Sequence, residues 1–408
     1  MLKKIPLRAP TDATLPNNGN GYYPQDILKA YNFPTDLTGK GQVVGILEFS
    51  NGYNIQDAVK FWQAHGITPP TVTFVSVDGT PNDNGTSFND LEASLDLQWV
   101  GALAPGAHLV VYESNGGQTY EQFALSMTNA LNYILKQIND HDPLAPSVLS
   151  ISYGDAEATW GTQAVQQWGD LIAQLDALGT TVVVASGDQG AYGMHDLNGP
   201  KVVHADAPAT APYAIAVGGT TLLPNGPETA WTYMTAADMG ATGGGYSSVY
   251  GKPGYQTTVS GTSLGVPVVA FNADPATGYE IYFQGQAFPV GGTSVAAPVF
   301  AAVMARANER RGQHNKSLIS NLNAWLYENA DQGFFRDVTV GNNSYNGVIG
   351  YPAQIGWDAC TGWGSMDVDR FITSIAGPAP TPVPVPTPTP QESWWTWLIN
   401  VFKRLFGI

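Results

Sequence analysis

Short β-branched runs alternating with helix-length segments restrict the fold of this chain more than any other feature. Residues 42–49 (QVVGILEF), 72–77, 108–113, 147–153, 180–185 and 213–217 read as strands. Residues 55–64, 120–138 and 162–178 read as helices between them. Near-continuous apolar strands interleaved with helices predict an α/β fold, with a mostly parallel central sheet covered by helices on both faces. In such sheets ligands bind beyond the carboxyl ends of the strands. Glu48, Ser152 and Asp188 fall at such ends.

Composition narrows the function. The 408 residues are 43% apolar, enough to bury a sizeable core. Only 12% are charged, so the surface changes little when carboxylates protonate, which favours tolerance to acid. The net charge of −16 repels phosphate backbones and argues against nucleic-acid binding. Cys360 is the single cysteine, which excludes an intrachain disulfide and a multi-cysteine zinc site. Beside Trp357 and Trp363 it reads as a packed core residue.

The ends differ from the middle. Residues 1–20 form a polar arm in which Lys3 and Lys4 precede no apolar stretch, so no secretory signal is expected. No run approaches the ~18 apolar residues of a spanning helix. Residues 377–392 are Pro/Thr-rich and read as an extended spacer. Residues 393–408 read as an amphipathic, Trp-rich helix, expected to tether the chain to a membrane or partner, or else to dock on its own domain.

A nucleophile is expected in Gly291-Gly292-Thr293-Ser294-Val295-Ala296-Ala297-Pro298, which opens a helical stretch. At a helix N-terminus, amide groups can stabilise an oxyanion beside the Ser294 hydroxyl; a plain N-cap is the alternative. Gly261-Thr262-Ser263 precedes Gly265 and Pro267 rather than a helix, and reads as loop. The Gly-Thr-Ser-x-x-x-Pro pattern is similar to the nucleophile motif of subtilisin-like peptidases, which also need a His-Gly-Thr-His segment. None of His65, His108, His141, His195, His204 and His314 lies in one. If the motif is not accidental, another group must take the proton.

Carboxylates offer themselves. Residues 89–99 (NDLEASLDLQW) read as a helix with Leu91, Leu95 and Trp99 along one apolar side. Glu92 and Asp96 are four apart, one turn apart on a shared face. Such a pair repels when both are ionised and becomes favourable by sharing a proton. A solvated acidic face is the alternative, although the apolar stretch 100–105 points to burial. Asp188, in Ala185-Ser186-Gly187-Asp188-Gln189-Gly190, ends a strand; it suits a site or an Asx turn.

From about residue 23 to residue 367 these motifs, in this order, resemble the sedolisins or serine-carboxyl peptidases, especially the kumamolisin-like members. Gly245, Asn272-Ala273-Asp274-Pro275-Ala276-Thr277-Gly278-Tyr279 and Gly291-Gly292-Thr293-Ser294 belong to the resemblance, with Glu92, Asp96 and Asp188. It implies a subtilisin-like fold over residues 21–376, endopeptidase activity at low pH and one bound calcium ion. It makes Ser294 the nucleophile, Glu92 the base, Asp96 the residue orienting Glu92, and Asp188 the oxyanion donor. The chemistry agrees. A histidine, with an ordinary pKa of about 6.5, is charged and useless as a base near pH 4, whereas a glutamate near 4.3 still accepts a proton. Asp188 donates to an oxyanion only when protonated, so activity should fall as pH rises.

The resemblance extends further. It places Glu48 in a carboxyl network behind Glu92, with Tyr153 where many members carry Trp. It assigns Ser152 and Gly154 to a substrate-binding strand. Gly243, Gly244 and Gly245 read as a flexible wall beside the substrate, or as a glycine-rich loop without a role. It assigns calcium to the side chains of Asp337 and Asp358 and the carbonyls of Val338, Gln354 and Gly356, an all-oxygen set suited to that ion. A protein or peptide substrate, a monomer and an extracellular or acidic location are expected. A tripeptidyl aminopeptidase of the same family, or an inactive tethered binding module on the same scaffold, are the competing readings.

Overall fold

The computed structural model describes residues 7–8, 16–49, 52–224, 227–234 and 239–380. The expected helix at 393–408, and the spacer beyond residue 380, lie outside the described residues. The chain divides into compact units, Met1–Pro378 and Ala379–Ile408.

An eight-stranded sheet organises the first unit. Its strands are β1 (Val43–Phe49), β2 (Thr71–Ser76), β3 (His108–Ser114), β4 (Val148–Ile151), β5 (Thr181–Ala185), β6 (Ile215–Thr221), β7 (Thr229–Ala230) and β8 (Val269–Asn272). The order is β7-β6-β5-β4-β1-β3-β2, with β8 also paired to β6. All pairs are parallel except the short β7 against β6. The α/β architecture is thus the expected one. The strand expected at 213–217 begins two residues later and runs to Thr221.

Helices cover both faces. On one lie α2 (Leu91–Leu103) and α5 (Thr293–Gln313), packed on Val44, Ile46, Val111 and Val183. On the other lie α3 (Tyr120–Asn139) and α4 (Thr162–Ala177), packed on Leu47, Val110, Val182 and Val184. Alternate residues of each strand therefore feed opposite cores, which is why the strands are apolar throughout. The expected one-sided α2 is buried on every side. It is wedged among the sheet, α5, α1 (Ile55–Ala64) and the strand Tyr279–Phe283.

Two local differences matter. Ser263, expected in a loop, starts the strand Ser263–Val266, paired with Gly245–Gly251. In the N-terminal arm, Leu7–Arg8 adds a strand to Gln286–Gly291, with Leu7 opposite Gly291.

The sheet reverses its direction of growth at β1, flanked by β3 on one side and β4 on the other. Beyond the carboxyl ends of these strands, and against α2, is the crevice where α/β sheets hold ligands.

Candidate active site

Ser294 is the second residue of α5, preceded by Gly292 at φ +114°. A side chain there would be strained, and its Cβ would lie 2.9 Å from Asp188 Oδ2. The Ser294 side chain is fully buried, and its hydroxyl makes no hydrogen bond among the described residues. Pro298, four residues on, has no amide hydrogen to give the Ser294 carbonyl, which a regular helix would supply. Ser152 approaches that carbonyl instead, with its hydroxyl oxygen 3.3 Å away.

Ser152 also links the Ser294 backbone to the helical acids. Its hydroxyl proton is divided between Asp96 Oδ2, at 2.7 Å, and the Ser294 carbonyl, at 3.3 Å, with Asp96 the stronger acceptor. Asp96 and Glu92, one turn apart on α2, are both fully buried. The alternative of a solvated acidic face is excluded, and the burial expected from the apolar stretch 100–105 is found. Ser152 was expected to line a substrate strand; it sits fully buried between Asp96 and the Ser294 backbone.

Asp188 lies on the other side of Ser294. Its Oδ1 accepts from the Thr293 amide at 2.8 Å and the Thr293 hydroxyl at 2.7 Å. The Thr293 hydroxyl in turn accepts from the Gly187 amide at 3.1 Å. Oδ1 is thus committed as an acceptor, so a proton on this carboxyl belongs on Oδ2. Burial beside Asp188 raises the Tyr345 phenol above its ordinary pKa.

Behind α2, the Tyr153 hydroxyl donates to Glu48 Oε2 at 2.8 Å. Burial foremost, and then the carboxyls of Glu48, Glu92 and Glu113, hold the Tyr153 phenol far above its ordinary pKa. Sequence reasoning missed Glu113. It is fully buried and stands opposite Glu48 in the β1–β3 register. The available signal was the same as for Glu48, an acid closing an apolar strand.

Gly243 and Gly244 do not form a flexible wall. A Cβ on Gly243 would meet the Ser186 carbonyl oxygen at 1.9 Å, and one on Gly244 the Ala359 carbonyl oxygen at 2.4 Å. Gly243 donates to the Gly187 carbonyl at 2.7 Å, and the Ser186 hydroxyl donates back to Gly243 at 2.8 Å. Gly243 is pressed backbone to backbone against the turn that carries Asp188, Gly244 against the Ala359 and Val266 backbone, and Gly245 starts a strand. A Cβ on Gly154 would lie 3.0 Å from the Ala207 carbonyl oxygen. The described histidine contacts lie elsewhere: His65 with Glu280, His108 with Thr73, His195 with Asp155, and His314 with Pro378.

The candidate calcium ligands converge through their own loop. Gly356 donates to Asp337 Oδ2 at 2.8 Å and Gln354 to Asp358 Oδ2 at 2.9 Å. Among the described residues, no donor reaches the carbonyls of Val338, Gln354 and Gly356. Two carboxylates and three uncommitted carbonyls suit a hard cation that takes oxygen ligands. Among the described residues, no three His, Cys, Asp or Glu side chains gather as a metal site, so a cation held here would need backbone oxygens.

Comparison with known proteins fits this geometry. The Subtilase family model matches residues 55–364. Kumamolisin of Bacillus sp. (strain MN-32) is 38% identical over 84% of this chain and 62% of its own length. Tripeptidyl-peptidase sed1 of Aspergillus fumigatus is 36% identical over 54% of this chain and 39% of its own. The solved structure of Pseudomonas sedolisin, a serine-carboxyl proteinase complexed with two molecules of pseudo-iodotyrostatin, superposes with a TM-score of 0.75 at 30% identity. That match covers 88% of this chain and 98% of that one. The chain spans about three-fifths of the length of kumamolisin and of Pseudomonas sedolisin, and less of the Aspergillus relative. The chain belongs to the subtilase family and, within it, to the sedolisin group of serine-carboxyl peptidases, on the kumamolisin-like side.

Proposed function

We propose that this protein is a serine-carboxyl endopeptidase that cuts protein and peptide chains at acidic pH. The observation that carries the reading is the double anchoring of the nucleophile: Ser152 ties Asp96 to the Ser294 backbone, and Asp188 caps the first turn of the same helix. Glu92, ionised and sharing Asp96's proton, accepts the hydrogen of Ser294 as Oγ attacks the scissile carbonyl. Asp188, protonated on Oδ2, donates to the oxyanion that forms. Glu92 then gives its proton to the leaving amine, and water repeats the sequence on the acyl-enzyme. An ionised Asp188 would place charge against charge, which sets the upper pH limit of activity.

Calcium, held by Asp337, Asp358 and the carbonyls of Val338, Gln354 and Gly356, would fix the loop over residues 337–358 and supply no step of the reaction. Work outside the cell or in an acidic compartment, as a monomer, goes with this reading.

Proteolysis of casein and end-labelled peptides from about pH 2 to about pH 8 tests it. Wild type should peak in acid, and Ser294→Ala and Glu92→Gln should be inactive. Internal cuts are expected; release of N-terminal tripeptides would favour the activity named for the Aspergillus relative. A rate that peaks above neutrality would overturn the mechanism.

A further inference from the structure

Glu113 has no place in the mechanism above, yet it is a fully buried acid in the region that mechanism depends on. It closes β3 directly opposite Glu48 on β1. Paired positions of neighbouring parallel strands point to the same face of a sheet. That face is the one under α2, because Ile46 and Val111, two residues earlier on the two strands, pack in the core with α2. Ser152 follows β4, the strand on the opposite side of β1.

The groups facing this spot can be named element by element. The sheet contributes Glu48 and Glu113, with Ser76 opposite Glu113 on β2. Helix α2 contributes Glu92 and Asp96, and the chain beyond β4 contributes Ser152 and Tyr153. The Tyr153 hydroxyl donates to Glu48 and experiences the charge of Glu92 and Glu113 as well. Four buried carboxyls therefore surround one phenol and one hydroxyl. Ionising all four without water is strongly opposed, and neighbouring carboxyls in such a place titrate as a unit.

We propose that Glu113 is a positioning residue of the catalytic carboxyl network: paired with Glu48 across the sheet, it shares one proton with it and so keeps the Tyr153 hydroxyl directed at Glu48. The ionised carboxyl of the helical pair then remains the one beside Ser294. Glu113 touches no substrate and acts on Glu92 only through Glu48 and Tyr153. The inference rests on the peptidase reading.

The test compares kcat and KM of wild type, Glu113→Gln and Glu113→Asp across the acidic range, with melting curves to establish folding. Glu113→Gln leaves the whole of the pair's single negative charge on Glu48, the member bonded to Tyr153, so the acid limb of kcat should move to higher pH, by up to about one unit. KM should stay unchanged. Glu113→Asp keeps the charge and should leave the limb near its wild-type place while lowering kcat severalfold. Should Glu113→Gln fail to fold, Glu113→Asp decides alone, and wild-type kcat and limb in it would overturn the inference. So would a folded Glu113→Gln with an unmoved limb.

Wild type inactive at every pH would refute the peptidase reading itself, before any variant is compared. The proton shared by Glu48 and Glu113 is also visible without turnover. An infrared band of a protonated carboxyl should persist in wild type above the pH at which exposed acids have ionised and should change in Glu113→Gln. An identical band in both would count against the pair.

Discussion

Ser152→Ala separates a catalytic framework from a merely folded one. The hydroxyl donates to Asp96 Oδ2 at 2.7 Å in a fully buried setting, so no water stands ready to replace it. By occupying Oδ2, it leaves Oδ1 as the oxygen through which Asp96 shares a proton with Glu92. A hydrogen bond to a buried carboxylate contributes about 2 kcal/mol. If competing proton positions and rotamers come nearer by that amount, kcat falls roughly 30-fold. KM should hold, since Ser152 lies behind the nucleophile rather than beside a substrate. Steady-state kinetics on an internally quenched peptide near pH 4 measure this, and a thermal melt of the same sample checks the fold. A variant with kcat within about threefold of wild type and an unchanged melt would refute the reasoning, because Asp96 would then be held by something else.

Other outcomes follow from single contacts. Burial pushes the Asp176 carboxyl from 3.8 to about 6, against the two short contacts it accepts from the Asn321 amide. Its stabilising effect is fully present below the unfolded value and is lost as pH rises through the folded one. A shift of that size corresponds to about 3 kcal/mol, or about 1.5 kcal/mol after allowing for screening near the surface. Asp176→Asn should therefore melt roughly 2 °C above wild type at neutral pH and match it at about pH 4, as calorimetry in the Ser294→Ala background would record. Gly292→Ala, at φ +114° and with its new Cβ 2.9 Å from Asp188 Oδ2, should lose about 1–3 kcal/mol of stability and most of its kcat. A chelator should lower the melting temperature and added Ca²⁺ should restore it, whereas Mg²⁺, which demands a tighter octahedron, should not.

Much of this was legible in the chain because burial on both faces leaves a continuous apolar signature. The strands from β1 to β5 and the helices from α1 to α5 announce themselves by β-branching and by length. Ser294, Glu92, Asp96 and Asp188 could be proposed from local motifs, since each sits at an element end or on a helical face. What escaped depends on register. Glu113 reads as the last residue of an ordinary strand until β1 and β3 are aligned and it meets Glu48. Ser152 reads as a substrate contact until Pro298 removes the amide that its hydroxyl partly replaces at the Ser294 carbonyl. The glycines at 243–245 suggest looseness by composition, yet their missing side chains serve a close backbone approach.

The small strand at Leu7–Arg8 has a practical side. Leu7 is paired with Gly291, three positions ahead of the nucleophile, on the strand that delivers Ser294 into the crevice. A substitution that weakens the Leu7–Arg8 pairing therefore acts on the strand that leads straight into Ser294.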